Sequence, residues 1–420
     1  MASPESLRCA SAEHTIFAVD RTTDGRMRLW QIRAIGMALA LLAASEGVRT
    51  MQDGREAGSA RPQAPARVVV EAGGLLYVSA LTATTDNGRG ADGDVHAQTR
   101  HSLDRLKAAL EGAGSSLAQA VTVNVYLRYA GDFDAMNAVY REYFSERPPT
   151  RTTVVAHPPD GALIAISAVA VPNGAPREVL HPDGWMKSPR PYSYIVRTSD
   201  FVFLSGLVSR RGRDDAVVPG WVREQTRTIL DNAGTLLKTA GVSYQNVVAA
   251  RVFVTQGSFF EEMNEEYRTY FPTAPPARAT VVAGLMGSET FVEITLVATT
   301  GEKQVVGPSI ASSLPISAAV RAGRRVFLSG VLGNTETNLR DVAAQTRETL
   351  ARVKNNLALA GLTPADVVDA TVYLAEPWQR HLVEPVYRGF FPNDPPARTL
   401  VGTDLVQRSA LIEVLVTAYK

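Results

Sequence analysis

A single cysteine, Cys9, stands in 420 residues. The chain therefore closes no intrachain disulfide and builds no zinc site of the CxxC type. An excess of charge of one sign is also missing: 43 Lys and Arg face 42 Asp and Glu, for a formal charge of +1. A balanced chain exerts no general pull on polyanions, so no nucleic-acid partner is expected. No apolar run reaches the roughly 18 residues needed to cross a bilayer, and no membrane contact is expected of the mature form. HExxH, GxSxG and Walker A patterns are absent. His96 and His101 lie five apart on a predicted helix, hence on different faces, and no metal or cofactor is expected. The four tryptophans, Trp30, Trp185, Trp221 and Trp378, are scattered and read as packing residues. What the chain does have is apolar surface to bury. Its 45% hydrophobic and 20% charged residues describe a folded globular protein.

The first 60 residues read as an extension. Within 27–45, Arg28 and Arg33 precede an apolar run from Ala34 to Ala44 and then Ser45. This order fits a secretory signal starting at Met27, with the mature chain beginning near Glu46 and exported to the periplasm. Without that signal the expected location is cytoplasmic. Glu46–Pro65, rich in Gly, Ala, Arg and Pro, reads as a linker.

Beyond it, one unit occurs three times. Gln98-Thr99-Arg100, Gln225-Thr226-Arg227 and Gln345-Thr346-Arg347 match one another. So do Pro149-Thr150-Arg151, Pro276-Ala277-Arg278 and Pro396-Ala397-Arg398. From the Gln to the last Arg the interval is 53 residues in every copy. Each copy is long enough to bury its own core and too long for a solenoid repeat of about 20–50 residues. Three domains are predicted, over 66–172, 190–300 and 314–420. Pro172–Arg190 and Thr300–Pro315 read as linkers.

Within a copy, Leu75–Ser79, Phe201–Ser205 and Val326–Ser329 are short apolar runs that suit buried strands. A helix follows, marked by Leu103, Leu106 and Leu110 and ended by Gly112 or Gly114. Val121, Val123, Val125 and Leu127 alternate with polar residues as a two-faced strand. A second helix carries Met136, Tyr140 and Phe144, with Asp132 as its expected N-cap. Two strands, such as Ala279–Ala283 and Phe291–Ala298, close the unit. The fold class is α+β, a mixed sheet with two helices on one face. That leaves the other sheet face bare, and three units in one chain cover it by packing together as an intrachain pseudo-trimer, monomeric overall.

These motifs resemble the RidA/YjgF family of enamine/imine deaminases, also called endoribonuclease L-PSP, whose fold is chorismate-mutase-like. The shared pattern is a strand ending in Ser-Gly, a helix opening near Gln-Thr, an Asn-x-x-Tyr helix, Pro-Ala-Arg, and a final Val-Glu-Ile strand. It covers about residues 66–420. The resemblance implies a substrate site in the cleft between neighbouring units, and a tandem triplet resembles one such trimer fused. It implies that Arg151, Arg278 and Arg398 grip a substrate carboxylate. Glu293 and Glu413 handle the catalytic proton, with Arg278 and Arg398 beside them, while Ala165 stands in the glutamate place of the first copy. Ser79, Ser205, Gly206, Ser329, Asn137, Asn264 and Tyr192 complete the substrate contacts. The third copy has Glu384 in the asparagine place, and Ala66 and Ile316 replace the tyrosine. One candidate cleft joins Arg398 and Glu413 to Ser205, Asn264 and Tyr192. Another joins Arg278 and Glu293 to Ser79 and Asn137. At most one of the three clefts is expected to be complete.

The implied reaction is hydrolysis of 2-imino or enamine acids to 2-keto acids and ammonia. The partner is a small carboxylate-bearing metabolite. A glutamate beside a buried arginine is expected to stay ionised, as suits a base. The alternative is a non-catalytic carboxylate-binding or scaffold protein with decayed clefts. Ribonuclease activity fits the balanced charge poorly. Chorismate-cleaving enzymes share the architecture but fit less well in length and repeat clarity.

Overall fold

The computed structural model describes residues 67–83, 93–309 and 314–420. The predicted signal segment and linker over 1–60, Trp30 and Ala66 lie outside these residues.

The first unit opens with a hairpin, Val69–Ala72 and Leu75–Thr82. Gly73 and Gly74 turn it at positive φ, where residues with a Cβ are strained. Helix α1 (Val95–Gly112) is capped by Asp94, whose carboxylate accepts from the Ala97 N–H at 3.0 Å. Next come the strand Ala120–Leu127, helix α2 (Phe133–Tyr143), and the strands Thr150–Val155 and Ile164–Ala170. Asp132 does not cap α2: a 3₁₀ turn over Ala130–Asp132 runs straight into the helix and already holds Asp132 in a helical conformation. The second unit repeats the order with α3 (Val222–Thr239) and α4 (Phe260–Tyr270), the third with α5 (Val342–Leu359) and α6 (Arg380–Phe390). Among the described residues, the only parallel pair in each sheet flanks the crossover helix α2, α4 or α6: Thr150–Val155 on Ala120–Leu127, Ala277–Val282 on Val247–Val254, and Ala397–Gly402 on Val367–Leu374.

Strand alternation divides each sheet into two faces. Val123, Val125, Ile164 and Ile166 pack under the helices with Leu103, Leu106, Leu110 and Tyr140. Equivalent cores lie under α3 and α4 and under α5 and α6. The residues between them point the other way, into two clusters that draw on all three units. One gathers Tyr77, Phe201, Phe203 and Phe327. The other gathers Tyr126, Ala165, Phe253 and Tyr373. The bare sheet faces are thus buried against one another.

The connections are more than linkers. Glu178–Leu180 adds a strand beside Ile195–Arg197, and Lys303–Ser309 adds one beside Ser317–Ala322. Trp378 is 69% exposed, so it is no core residue, and Trp221 is half exposed against Phe259 and Phe291; Trp185 does pack, edge-on to Tyr194.

Where the three sheets meet, a cavity of ≈100 Å³ takes wall residues from every unit, among them Asn124, Arg251 and Asp369. Asn124, Arg251 and Thr371 occupy one repeat position, and Arg251 reaches Thr371 Oγ1 at 3.4 Å. Burial pushes the Asp369 carboxyl up to about 6, against the pull of Arg251.

Candidate functional site

Each of the three arginines is the second residue of its strand, and that strand docks on the next unit. The Arg151 N–H donates to Ser205 Oγ at 2.9 Å, the Arg278 N–H to Ser329 Oγ at 2.8 Å, and the Arg398 N–H to Ser79 Oγ at 2.9 Å. The order is cyclic: first on second, second on third, third on first. Each serine hydroxyl in turn donates to a carbonyl of its own unit, at Ser193, Ser317 or Arg67. Its one proton is committed. Ser79, Ser205 and Ser329 therefore hold the arginine backbones. Gly206 and Gly330 add a second rung, donating to the carbonyls of Arg151 and Arg278 at 3.0 and 3.1 Å.

Both expected pairings are overturned. Arg151 shares its cleft with Tyr192, Gly206 and Glu293; Arg278 lies with Glu413; Arg398 faces Ser79 and Ala80. The reason is the sheet face. Arg151 packs over the α2 residue Tyr140, on the helix side of its own sheet. Ala165, in the glutamate place of that unit, lies on the opposite face with Tyr126. No unit can join its own arginine to its own glutamate, so the arginine and asparagine come from one unit and the glutamate, serine, glycine and tyrosine from the next. On this pairing the first–second cleft holds the whole set: Arg151, Asn137, Tyr192, Ser205, Gly206 and Glu293.

In that cleft the Arg151 side chain is nearly inaccessible, and its Nη1 has no hydrogen-bond partner. Its guanidinium lies 4.8 Å from the Tyr140 ring centroid and 5.5 Å from that of Tyr192. Such faces hold a cation without saturating its donors. A cavity of ≈60 Å³ joins Arg151 and Glu293 with Thr153, Arg190 and Arg210. Arg190 and Arg210 share Asp215 at 3.3 and 3.1 Å. Asn137 donates to the Phe133 carbonyl within its own helix at 2.9 Å.

The second–third cleft is similar. Arg278 Nη2 donates to Asn264 Oδ1 at 2.5 Å, and Nη1 is buried without an acceptor. Tyr267 lies beneath it at 4.6 Å, and Ile316 replaces the tyrosine. In both clefts a buried threonine hydroxyl two residues after the arginine, Thr153 or Thr280, has no partner.

Burial pushes the Glu293 carboxyl up to about 8, although the Thr153 backbone and Arg151 both favour its charged form. Burial likewise raises Glu413 to about 8, against Arg278. The expectation of an ionised base is corrected: the loss of water outweighs the nearby cation, and at neutral pH the carboxyl holds its proton. The glycines make this possible. A methyl at Gly206 or Gly330 would collide with the Glu293 or Glu413 carboxyl.

The third–first cleft is different. Arg398 is already gripped by Glu384, at 2.7 Å from Nη2 and 3.1 Å from Nη1. The glutamate place holds Ala165 and the glycine place Ala80, so carboxyl and clearance are lost together.

The tyrosines under the arginines, Tyr140, Tyr267 and Tyr387, were not singled out as site residues; the Asn-x-x-Tyr spacing carried that signal. Arg190 and Arg210 had none.

Three α+β units in one chain, each lending an arginine to its neighbour, define a tandem-repeat protein with its candidate sites at unit junctions. The family model described as Endoribonuclease L-PSP matches residues 59–172, 186–300 and 307–420, and the chain belongs to that family. Its relatives include a RutC family protein of Pyrococcus horikoshii, 39% identical over 29% of this chain and 97% of the relative. The 2-iminobutanoate/2-iminopropanoate deaminase of Mus musculus is 35% identical over 26% of this chain and 82% of its own. One relative of this family is thus named as an imine deaminase. A crystal structure of a chorismatase aligns with 72% of this chain and 93% of its own at a TM-score of 0.50 and 15% identity, a likeness of fold alone.

Proposed function

We propose that the chain hydrolyses small 2-imino acids to 2-keto acids and ammonia, in the first–second cleft and in its second–third counterpart. The observation that carries this reading is the buried Arg151 guanidinium with an unsatisfied Nη1, in one cavity with the buried Glu293 carboxyl, which burial pushes up to about 8. A planar guanidinium offers parallel donors to a carboxylate, which fixes the imine carbon near Glu293. The Glu293 proton passes to the imine nitrogen. Water then attacks the carbon and returns a proton to the carboxylate; that proton passes to the amine, and as the C–N bond breaks the new hydroxyl gives its own proton back to the carboxylate. Water supplies the oxygen, nitrogen departs as ammonia, and the carboxyl ends as it began. Glu413 plays the same part beside Arg278.

The test is ammonia release from 2-imino acids generated in situ by an amino-acid oxidase. Faster release with the chain than with buffer is expected; equal rates from a folded chain overturn the reading. The paired variant Gly206→Ala/Gly330→Ala tests the geometry. Displacing both carboxyls is expected to lower kcat by about 10²-fold, the cost of a misplacement near 1 Å. Unchanged kcat would remove both glutamates from the reaction.

A further inference from the structure

The first–second cleft carries cations beyond the one its proposed chemistry uses. Arg190 and Arg210 stand on its wall with Arg151, and Glu293 is the only acidic wall residue. A single carboxylate, Asp215, meets both, and they reach the same oxygen: Arg190 Nη1 lies 3.3 Å and Arg210 Nη1 3.1 Å from Oδ2. Among the described residues no other acid pairs with either. Arg190 spends one nitrogen of its fork on Asp215 and keeps the rest. Two guanidiniums thus share one negative charge beside the cavity.

The pair belongs to this cleft. In the second–third cleft the same repeat places, two residues before Ile316 and five after Ser329, hold the uncharged Leu314 and Asn334. Arg268 does not separate the two clefts, because Arg141 fills its place in the first unit. Arg352, which stands where the second unit has Asn232, is ion-paired with Glu348 at 2.7 Å.

The placement suits a second anionic group on the substrate. The Phe133 ring centroid lies 5.8 Å from the Arg151 guanidinium carbon and 5.7 Å from that of Arg190. The two guanidiniums are therefore no more than about 12 Å apart, a gap that a four- or five-carbon diacid closes with a hydrogen-bonded pair at each end. Burial lowers the proton affinity of Arg151, and Arg190 lowers it further, which marks the two cations as neighbours. Phe133, Val208 and Met286 offer apolar wall to a short carbon chain. The cavity itself is small, ≈60 Å³, but Arg190 and Tyr192 also line a wider one of ≈360 Å³ whose walls hold no acidic residue. The far end of a bound chain has room there.

We infer that the first–second cleft selects dicarboxylic 2-imino acids. Arg151 takes the carboxylate beside the imine, and Arg190 with Arg210 takes the one at the end of a short side chain. Asp215 holds the two arginines in place and tempers their grip. The inference rests on the proposed reaction for its substrate, and its test reads binding, so that either can fail alone.

Isothermal titration of the full chain carrying Arg278→Met, which removes the guanidinium of the second–third cleft, compares 2-oxoglutarate with 2-oxopentanoate. These product-like acids match in chain length and differ only in the distal carboxylate. Binding of 2-oxoglutarate is expected to be tighter by about 10-fold or more, the worth of hydrogen bonds to a charged group, and to be lost when Arg151→Met is added. Arg190→Leu/Arg210→Asn installs the residues of the second–third cleft and is expected to erase the preference. Asp215→Asn keeps both arginines, and asparagine tolerates the left-handed φ of 55° at that position. There the preference is expected to widen several-fold, and this variant decides the matter should the double variant fail to fold. Equal affinities in the Arg278→Met chain overturn the inference. So does a preference that survives Arg190→Leu/Arg210→Asn or fails to widen in Asp215→Asn. Selective binding without faster ammonia release from the glutamate-derived imine overturns the proposed reaction and upholds the selectivity.

Discussion

Replacing both Glu293 and Glu413 by glutamine is expected to lower the rate of ammonia release by about 10²–10⁴-fold, the usual worth of a positioned acid or base. Glutamine keeps the shape and cannot give up a proton. Two clefts carry a carboxyl, so either single variant leaves the other working and the double variant reads the full effect. The same pair governs a pH dependence. In the wild type, kcat/KM is expected to fall as pH rises past about 8, where Glu293 and Glu413 lose the proton that catalysis needs. Stability follows the same sign. Unfolded, each carboxyl ionises near its ordinary value of 4.5; folded, it holds its proton up to about 8. The native state therefore binds more protons across that window. Their contribution to stability is complete below 4.5 and is lost as pH rises through 8. Denaturant melts at pH 5 and pH 8.5 should show this loss in the wild type and a smaller one in the double variant. Equal losses would remove these carboxyls as its source.

Arg151→Met combined with Arg278→Met is expected to separate function from stability. Each guanidinium lies in low-dielectric surroundings, and burial lowers the proton affinity of both, Arg278 to about 10. Among the described residues neither is ion-paired, and burial holds the adjoining glutamate carboxyl well above its ordinary range. Methionine removes that desolvation penalty and still packs on Tyr140 or Tyr267. Gains of about 1–4 kcal/mol accompany the replacement of buried ionic groups by apolar ones of similar volume. The Tm should rise, while kcat/KM should fall at least about 30-fold, the equivalent of ~2 kcal/mol lost with a buried charge contact. Arg398→Met, by contrast, removes the two bonds that Arg398 makes to the Glu384 carboxylate and is expected to lower the Tm. A fall in Tm for the Arg151/Arg278 pair would mean that the two cations serve the fold and do not await a ligand.

The repeat, its element order and the residue types of the site were legible because they recur at a fixed spacing. Which residues meet was not. Val292 and Ile294 bracket Glu293, and two apolar neighbours facing the helices force the residue between them to the other side. That much can be read from alternation. Ala277-Arg278-Ala279-Thr280 has no comparable contrast, so the face of the arginine shows only in three dimensions, and with it the pairing between units. The protonated state of Glu293 was misread for a related reason. Sequence shows the neighbouring cation but not how completely water is excluded. Glu384 was visible as a departure from asparagine, yet its grip on Arg398 needed the fold.

The cavity where the three sheets meet has a consequence for what covalent linkage permits. Three identical subunits around such a point would each present the same side chain, and an arginine at the Arg251 position would confront two copies of itself within a few ångströms. One polypeptide escapes that tripling. It sets a single cation beside an amide and a hydroxyl, with one acid nearby, and so tolerates at its centre a composition that identical subunits would repel.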